Sequence, residues 1–120
     1  MSAIAGPGLV AYLVPILLLV CSNLFMTFAW YGHLKFPQAS LLPVILISWG
    51  IAFIEYCFAV PANRIGHSVY SAAQLKTIQE VITLTIFVIF SWAYLGEAIS
   101  WKQGIGFAFI AVGAAFVFQK

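Results

Sequence analysis

The sequence predicts an all-α membrane protein, a bundle of four transmembrane helices with both termini on the same side of the membrane. Of its 120 residues, 64% are apolar and only 7% are charged, whereas soluble domains carry about 25% charged residues. The chain therefore lacks the polar surface that a water-soluble protein needs. Four apolar stretches, each about the 20 residues needed to cross a bilayer, follow one another along a single membrane domain of residues 1–120.

Each predicted helix is bounded by polar or helix-breaking residues. The predicted spans cover about residues 9–31, 41–60, 72–94 and 101–118. Pro43 falls in the first turn of the second helix, where its missing N–H is tolerated, and Pro61 is expected to end that helix. Aromatic residues at the predicted ends are typical of a membrane–water interface, and they are Trp30, Tyr31, Tyr70, Tyr94 and Trp101.

Charge and cysteine content exclude several other classes of protein. The net charge of +2 is too small to hold nucleic acid by its phosphates, so no nucleic-acid partner is expected. Cys21 and Cys57 lie within apolar stretches and offer neither a disulfide framework nor metal-ligand spacing. The sequence contains no catalytic constellation, phosphate-binding loop or metal motif. We therefore expect neither an enzyme nor a bound cofactor.

The loop charges hardly indicate how the chain is oriented in the membrane. Lys35 and Lys102 are expected on one side, and Arg64 and Lys120 on the other, with Lys76 close to that second side. Lys and Arg normally concentrate on the cytoplasmic side. Two interpretations stay open: one fixed orientation with the termini inside, or dual topology, in which copies insert both ways and pair as an antiparallel homodimer.

Three ionisable side chains inside or near the membrane core are candidates for a substrate- or proton-binding site: Glu55, Lys76 and Glu80. An ionisable side chain near the bilayer centre costs roughly 2.5–3.5 kcal/mol on insertion scales, which makes it a functional candidate by default. Glu55 lies about five residues before the predicted end of the second helix. We expect both carboxylates in the same leaflet, where they can face one polar pocket with Arg64 at its mouth.

A local ion pair is the alternative interpretation of these charges. Lys76 precedes Glu80 by four residues and shares its helix face, so the two can neutralise each other while Lys76 reaches toward water. Gln79 adds a polar group beside them. For Glu55 the alternative is a pair with Arg64 or Lys76. Proton binding needs at least one carboxylate without a cationic partner, because burial then disfavours its ionised form.

Polar and small residues on the first and fourth helices complete the candidate set. Asn23 lies near mid-membrane and either bonds to a neighbouring helix or lines a substrate path. Gly106 and Gly113 are seven residues apart on nearly one face of the fourth helix. Small residues let helices approach closely in lipid. The two glycines either contact other helices of the same chain or form a dimer seam.

Several motifs resemble transporter families. Four short spans, near-balanced loop charges and the spacing of Gly106 and Gly113 resemble the small multidrug resistance exporters. Residues 95–106 resemble the closing helix pair of the wider drug/metabolite transporter superfamily. Residues 22–35, 61–66 and 74–80 resemble a bacterial family of unknown function within that superfamily. The resemblance implies a four-span, transporter-like protein in the bacterial cytoplasmic (inner) membrane.

One departure from the exporters changes the expected mechanism. They carry a membrane-embedded Glu in their first helix, where this chain offers Ser22, Asn23 and Thr27, so proton coupling needs Glu55 or Glu80 instead. We predict a homodimeric transporter in the lipid bilayer that moves a small molecule by alternating access around a site near the midplane. The alternative is a structural or accessory membrane subunit that does not transport.

Overall fold

Four α-helices dominate the part of the chain that the computed structural model describes, residues 8–119. They are α1 (Leu9–Tyr31), α2 (Leu41–Gly66), α3 (Ala72–Phe90) and α4 (Trp101–Val117). The first three are long and apolar enough to cross a membrane, whereas α4 is shorter but also apolar. Within residues 8–119 there is no strand. The predicted all-α membrane fold is confirmed, and Lys120 lies outside the described residues.

Local sequence signals set several helix ends. Ser71 and Ser100 begin α3 and α4 with capping boxes, in which each serine hydroxyl accepts a hydrogen bond from the backbone N–H three residues later. α1 continues into a 3-10 turn, Gly32–Lys35. α3 continues into one π-helical turn, Ser91–Leu95, and the chain then turns at Gly96. The φ of 75° at Gly96 lies in the left-handed region that glycine adopts without a Cβ clash.

The second helix differs from its prediction because it continues through Pro61 to Gly66. A proline inside a membrane span is tolerated where neighbouring helices and local adjustments satisfy the backbone groups that it frees. Arg64 lies in the last turn of α2 with its side chain exposed. A long cationic side chain can extend toward water from such a position. The longer helix places Glu55 about three turns before its end, which is deeper than the sequence predicts.

α1 is the central helix, packing along α2 and against α3, and α4 packs on α3. Two contacts show that α1 and α2 run antiparallel. Ser22 of α1 bonds to Glu55 of α2, while a Cβ added at Gly66 would lie 3.1 Å from Pro15 Cβ. The buried residues of α2 recur every three or four positions along one stripe, and they are Glu55, Ala59, Ala62 and Gly66. The small side chains of this stripe allow α1 to approach closely.

The interior is more polar than the exterior. The most completely buried side chains include Asn23, Thr27 and Ser22. Large apolar side chains lie outside, among them Trp49, Phe53, Trp92 and Phe109. Lipid tails are as apolar as leucine, so this distribution fits a protein surrounded by lipid.

Candidate functional site

A buried polar cluster joins three helices near the middle of the membrane. We use this name for Ser22 and Asn23 of α1, Glu55 of α2 and Thr83 of α3, which form two hydrogen bonds between helices, one from Ser22 to Glu55 and one from Thr83 to Asn23. At about 1.5 Å per residue, Ser22 lies about 20 Å from the start of α1. By the same rise, Glu55 lies about 17 Å from the end of α2, and Thr83 about 17 Å from the start of α3. These three helix ends lie at the same end of the bundle, so Ser22, Glu55 and Thr83 lie at similar distances from it.

Glu55 is the buried carboxyl group of this cluster, with a relative exposure of only 4%. Its Oε2 accepts a hydrogen bond of 2.5 Å from Ser22 Oγ. Its Oε1 is buried and has no hydrogen-bond partner among residues 8–119. Within the same range, no Lys, Arg or His lies within ion-pair distance of Glu55. Burying a charge without a partner is costly, whereas a protonated carboxyl is neutral and can donate one hydrogen bond.

Asn23 links α1 to α3. Its Nδ2 donates a hydrogen bond of 2.8 Å to the Leu19 carbonyl oxygen one turn earlier. Its Oδ1 accepts a hydrogen bond from Thr83 Oγ1. Thr27 is also almost fully buried, one turn further along α1. Asn23 thus forms the helix–helix bond that was one of its two predicted roles.

Glu80 lies apart from the polar cluster. Its carboxylate forms an ion pair of 3.2 Å with Lys76 Nζ, and the two side chains are 52% and 70% exposed. The predicted local pair is therefore present. The structure does not bring Glu80 and Glu55 into one pocket, because Glu55 lies deeper in the bundle and faces α1. Glu80 therefore has a cationic partner, whereas Glu55 has none among residues 8–119.

A second group of predicted residues lines an open cavity of about 500 Å³ at the end of the bundle where α2 meets α3. We call this the basic cavity, and its lining consists of Asn63, Arg64, His67, Ala72, Leu75, Lys76 and Gln79. The structure thus brings together Arg64, Lys76 and Gln79, but without Glu55. The candidate residues divide into a buried carboxyl site and a cationic site nearer the membrane surface.

The two glycines of α4 have open space around them in the described part of the chain. A Cβ added at Gly106 or Gly113 would meet nothing within 4 Å. No residue of α4 is buried among the described residues. Packing against the other helices of the same chain therefore does not explain this pair, and the predicted dimer seam stays a prediction.

Sequence reasoning did not connect Ser22 to Glu55 or Thr83 to Asn23. These pairs can be predicted by comparing how far each polar residue lies from the shared end of the bundle. In antiparallel neighbours, polar residues at equal distances from the shared end of the bundle can meet, and the three helices have polar residues about 17–20 Å from that end. Applying this test requires the correct end of α2, Gly66.

Residues 15–118 match the model of a family described as "Putative member of DMT superfamily (DUF486)". The match covers nearly the whole described chain and confirms the resemblance to a family of unknown function in the drug/metabolite transporter superfamily. No curated protein and no solved structure matches the chain. The resemblance to the small multidrug resistance exporters rests on the sequence features alone.

Proposed function

Because the chain belongs to the DUF486 family, grouped with the DMT superfamily, we propose that it transports a small molecule across the bacterial inner membrane. The transporter works as a homodimer by alternating access. The observation that carries this proposal is the buried Oε1 of Glu55, which has no hydrogen-bond partner among residues 8–119. An unsatisfied carboxyl oxygen at mid-membrane costs free energy, so its presence in the fold points to a functional role.

Glu55 is the proposed coupling residue. In its protonated form the carboxyl is neutral and suits its buried position. When it loses the proton, the negative charge needs a partner, since no cation lies within ion-pair distance among the described residues. A substrate with a positive charge or a hydrogen-bond donor supplies that partner at Oε1. Proton and substrate therefore compete for one site, with Asn23 as a neighbouring polar group.

Glu80 is the weaker candidate for coupling. Lys76 neutralises it at 3.2 Å, and half of its side chain is exposed. Its charge is therefore compensated without a substrate. This contrast makes Glu80 the matched control for Glu55 in every proton-coupling experiment.

We propose a homodimer because a second copy can help to enclose a polar cavity for the substrate. Glu55 is sealed inside one chain, so a substrate can reach it only if helices move or separate. α4 has no buried residue within the described chain, which leaves its glycine face for a second copy. A dimer of eight helices can enclose a polar cavity near the midplane, where transporter sites usually lie. The near-balanced loop charges favour an antiparallel arrangement of the two copies.

Infrared difference spectroscopy between acidic and alkaline buffer tests the proton site directly. Wild-type protein in liposomes is expected to show a carboxylic C=O band that Glu55→Gln removes and Glu80→Gln retains. Compounds that release protons from the wild-type protein are then screened as ligands, and their binding should lose its pH dependence only in Glu55→Gln. If Glu55→Gln keeps both the band and the pH dependence, Glu55 is not the coupling residue.

A structural subunit without transport is the second candidate function. The hydrogen bonds of the polar cluster join α1 to α2 and to α3, as a purely structural network also would. This function predicts that Glu55→Gln lowers the abundance of the protein in the membrane without affecting the flux of any compound. Loss of flux at normal abundance favours transport.

A further inference from the structure

We propose that the basic cavity binds a phosphate group, carried either by an anionic phospholipid or by a soluble phosphate ester. This site lies at the end of the bundle, away from Glu55. It does not depend on the proposed transport function, and its test measures binding rather than flux.

The charges around the cavity leave a net positive site. Arg64 and Lys76 both line it. Lys76 is paired with Glu80, but Arg64 has no carboxylate partner among residues 8–119. Two cations therefore face one carboxylate, and the guanidinium of Arg64 keeps its N–H groups for a ligand. Arginine presents these groups as a planar fork that matches two oxygens of a phosphate.

Neutral donors surround the two cations. The side-chain amides of Asn63 and Gln79 line the same cavity, and each amide offers two N–H groups. Nδ1 of His67 lies 3.2 Å from the Tyr70 carbonyl oxygen. Because a carbonyl only accepts, Nδ1 carries the hydrogen in this contact. Nε2 of the neutral ring then has only a lone pair, so the neutral donors of this site are the two amides.

The start of α3 adds a further positive element. Ala72, its first residue, lines the cavity, and the first turn contains no acidic residue. The capping box pairs the backbone N–H groups of Ser71 and Gln74 with side chains. The N-terminal end of a helix carries a partial positive charge that favours phosphate. The cavity lies along the side of the first two turns of α3, so this end of the helix is at its edge.

The position of the cavity suits a phosphate at the membrane surface. Its lining comes from the last turn of α2, the following residue and the first two turns of α3, where two predicted spans end. Tyr70 lies at the same end and donates a hydrogen bond of 3.0 Å to the Tyr12 carbonyl oxygen, as interfacial tyrosines do. Leu75 supplies an apolar wall. Basic pockets between membrane helices are typical sites for lipid head groups.

The experiment measures binding to the full-length protein purified in detergent. One arm adds micelles containing phosphatidylglycerol, with diacylglycerol as the control without phosphate. The other arm adds glycerol 3-phosphate or inorganic phosphate. The midpoint of thermal unfolding is followed against concentration, because a ligand that binds only the folded state raises it. Native mass spectrometry counts the bound molecules.

Four variants locate the site. Arg64→Gln is expected to weaken the apparent affinity about tenfold or more, as loss of a charged hydrogen-bond partner does. The apparent affinity of Arg64→Lys should lie between those of wild type and Arg64→Gln, because lysine keeps the charge but lacks the planar fork of arginine. Lys76→Gln provides a second test if Arg64→Gln does not fold. Lys102→Gln is the matched control, since Lys102 lies at the opposite end of the bundle and beside Trp101.

Each outcome decides the proposal. Arg64-dependent stabilisation by phosphatidylglycerol alone identifies a lipid head group as the ligand. Arg64-dependent stabilisation by glycerol 3-phosphate or inorganic phosphate identifies a soluble phosphate compound. If no phosphate probe binds, or if Arg64→Gln and Lys76→Gln behave like Lys102→Gln, the proposal is overturned.

Discussion

Ser22 and Glu55 form a hydrogen bond between α1 and α2 at mid-membrane, with Ser22 Oγ donating to Glu55 Oε2 over 2.5 Å. Both side chains are almost completely buried. The bond fixes the orientation of the carboxyl group, satisfying one oxygen and leaving the other without a partner among residues 8–119. A single serine therefore contributes both to helix packing and to the geometry of the proposed proton site.

Replacing this serine should destabilise the bundle. Ser22→Ala removes the donor and leaves a second oxygen of Glu55 unsatisfied, which costs about 1–3 kcal/mol in the free energy of unfolding. Titration with a denaturing detergent, followed by circular dichroism, measures the loss. Thr85→Ala is the control, because within residues 8–119 the Thr85 hydroxyl donates to the Val81 carbonyl of its own helix and to no other group.

A double-variant cycle separates the hydrogen bond from other effects of Ser22→Ala. In a Glu55→Leu background the carboxyl is absent, so Ser22→Ala should then cost much less. An equal cost in both backgrounds would show that the Ser22–Glu55 bond is not what stabilises the fold.

Gly66 should not tolerate even one added methyl group. A Cβ at this position would lie 2.7 Å from Leu75 Cδ2 and 3.1 Å from Pro15 Cβ. Leu75 is buried and the proline ring is rigid, so Gly66→Ala should destabilise the protein by about 1–3 kcal/mol. The same unfolding titration measures the change.

Gly50 provides the matched control for that substitution. It lies in the interior of the same helix, and a Cβ there would meet nothing within 4 Å. Gly50→Ala should therefore be neutral or stabilising by about 0.5–1 kcal/mol, since alanine favours helix more than glycine does. If Gly66→Ala behaves like Gly50→Ala, α1 and α2 do not approach as closely as the structure shows.

The sequence alone predicts the helices because apolar length and capping residues are local properties. The first span is predicted over residues 9–31, and α1 is Leu9–Tyr31. The end of α2 is harder to predict, because Pro61 is tolerated or not according to the helices packed around it. That information is tertiary and cannot be read from the proline itself.

The expectation that Glu55 and Glu80 face one pocket depends on which faces of α2 and α3 carry the two side chains, and the end of α2 at Gly66 does not decide it. A helix ending at residue 60 puts Glu55 five residues from that end, and the observed end at Gly66 puts it eleven residues away, whereas Glu80 lies eight residues from the start of α3. In the structure Glu55 faces Ser22 of α1, while the half-exposed Glu80 pairs with Lys76. The Lys76–Glu80 pair is recognisable from its spacing of four residues. Which helix face is buried depends on packing and is not predictable from that spacing.

The glycine face of α4 should carry the dimer contact. Gly106→Leu and Gly113→Leu each place a bulky side chain on the proposed seam, so the dimer fraction in detergent should fall. Gly104→Leu is the matched control, because Gly104 is two residues from Gly106 and lies on the opposite side of the helix. A Cβ added at any of the three glycines would meet nothing within 4 Å, so the first atom of each new side chain fits the single chain.

Light scattering coupled to size-exclusion chromatography measures the dimer fraction. A fall in Gly106→Leu and Gly113→Leu but not in Gly104→Leu supports the seam. If all three variants remain as dimeric as wild type, the contact between copies lies elsewhere.

The balanced cations should produce both membrane orientations. In the test, Cys21 and Cys57 are replaced by alanine and a single reporter cysteine is added after Lys120. Cells are then treated with an impermeant thiol reagent before and after they are opened. Since the loop charges favour neither side, about half of the reporter should be labelled in intact cells. Labelling only after opening would show one fixed orientation with the termini inside, and any dimer would then be parallel.

Removing one cation tests the cause of the dual orientation. Lys102→Gln leaves Lys35 alone on its side, against Arg64, Lys76 and Lys120, the cations expected on the other side. The more positive end should then stay in the cytoplasm, so the fraction labelled in intact cells should fall. Arg64→Gln removes a cation from the opposite end and should raise that fraction. If both variants label as the parent does, the loop cations do not determine the orientation.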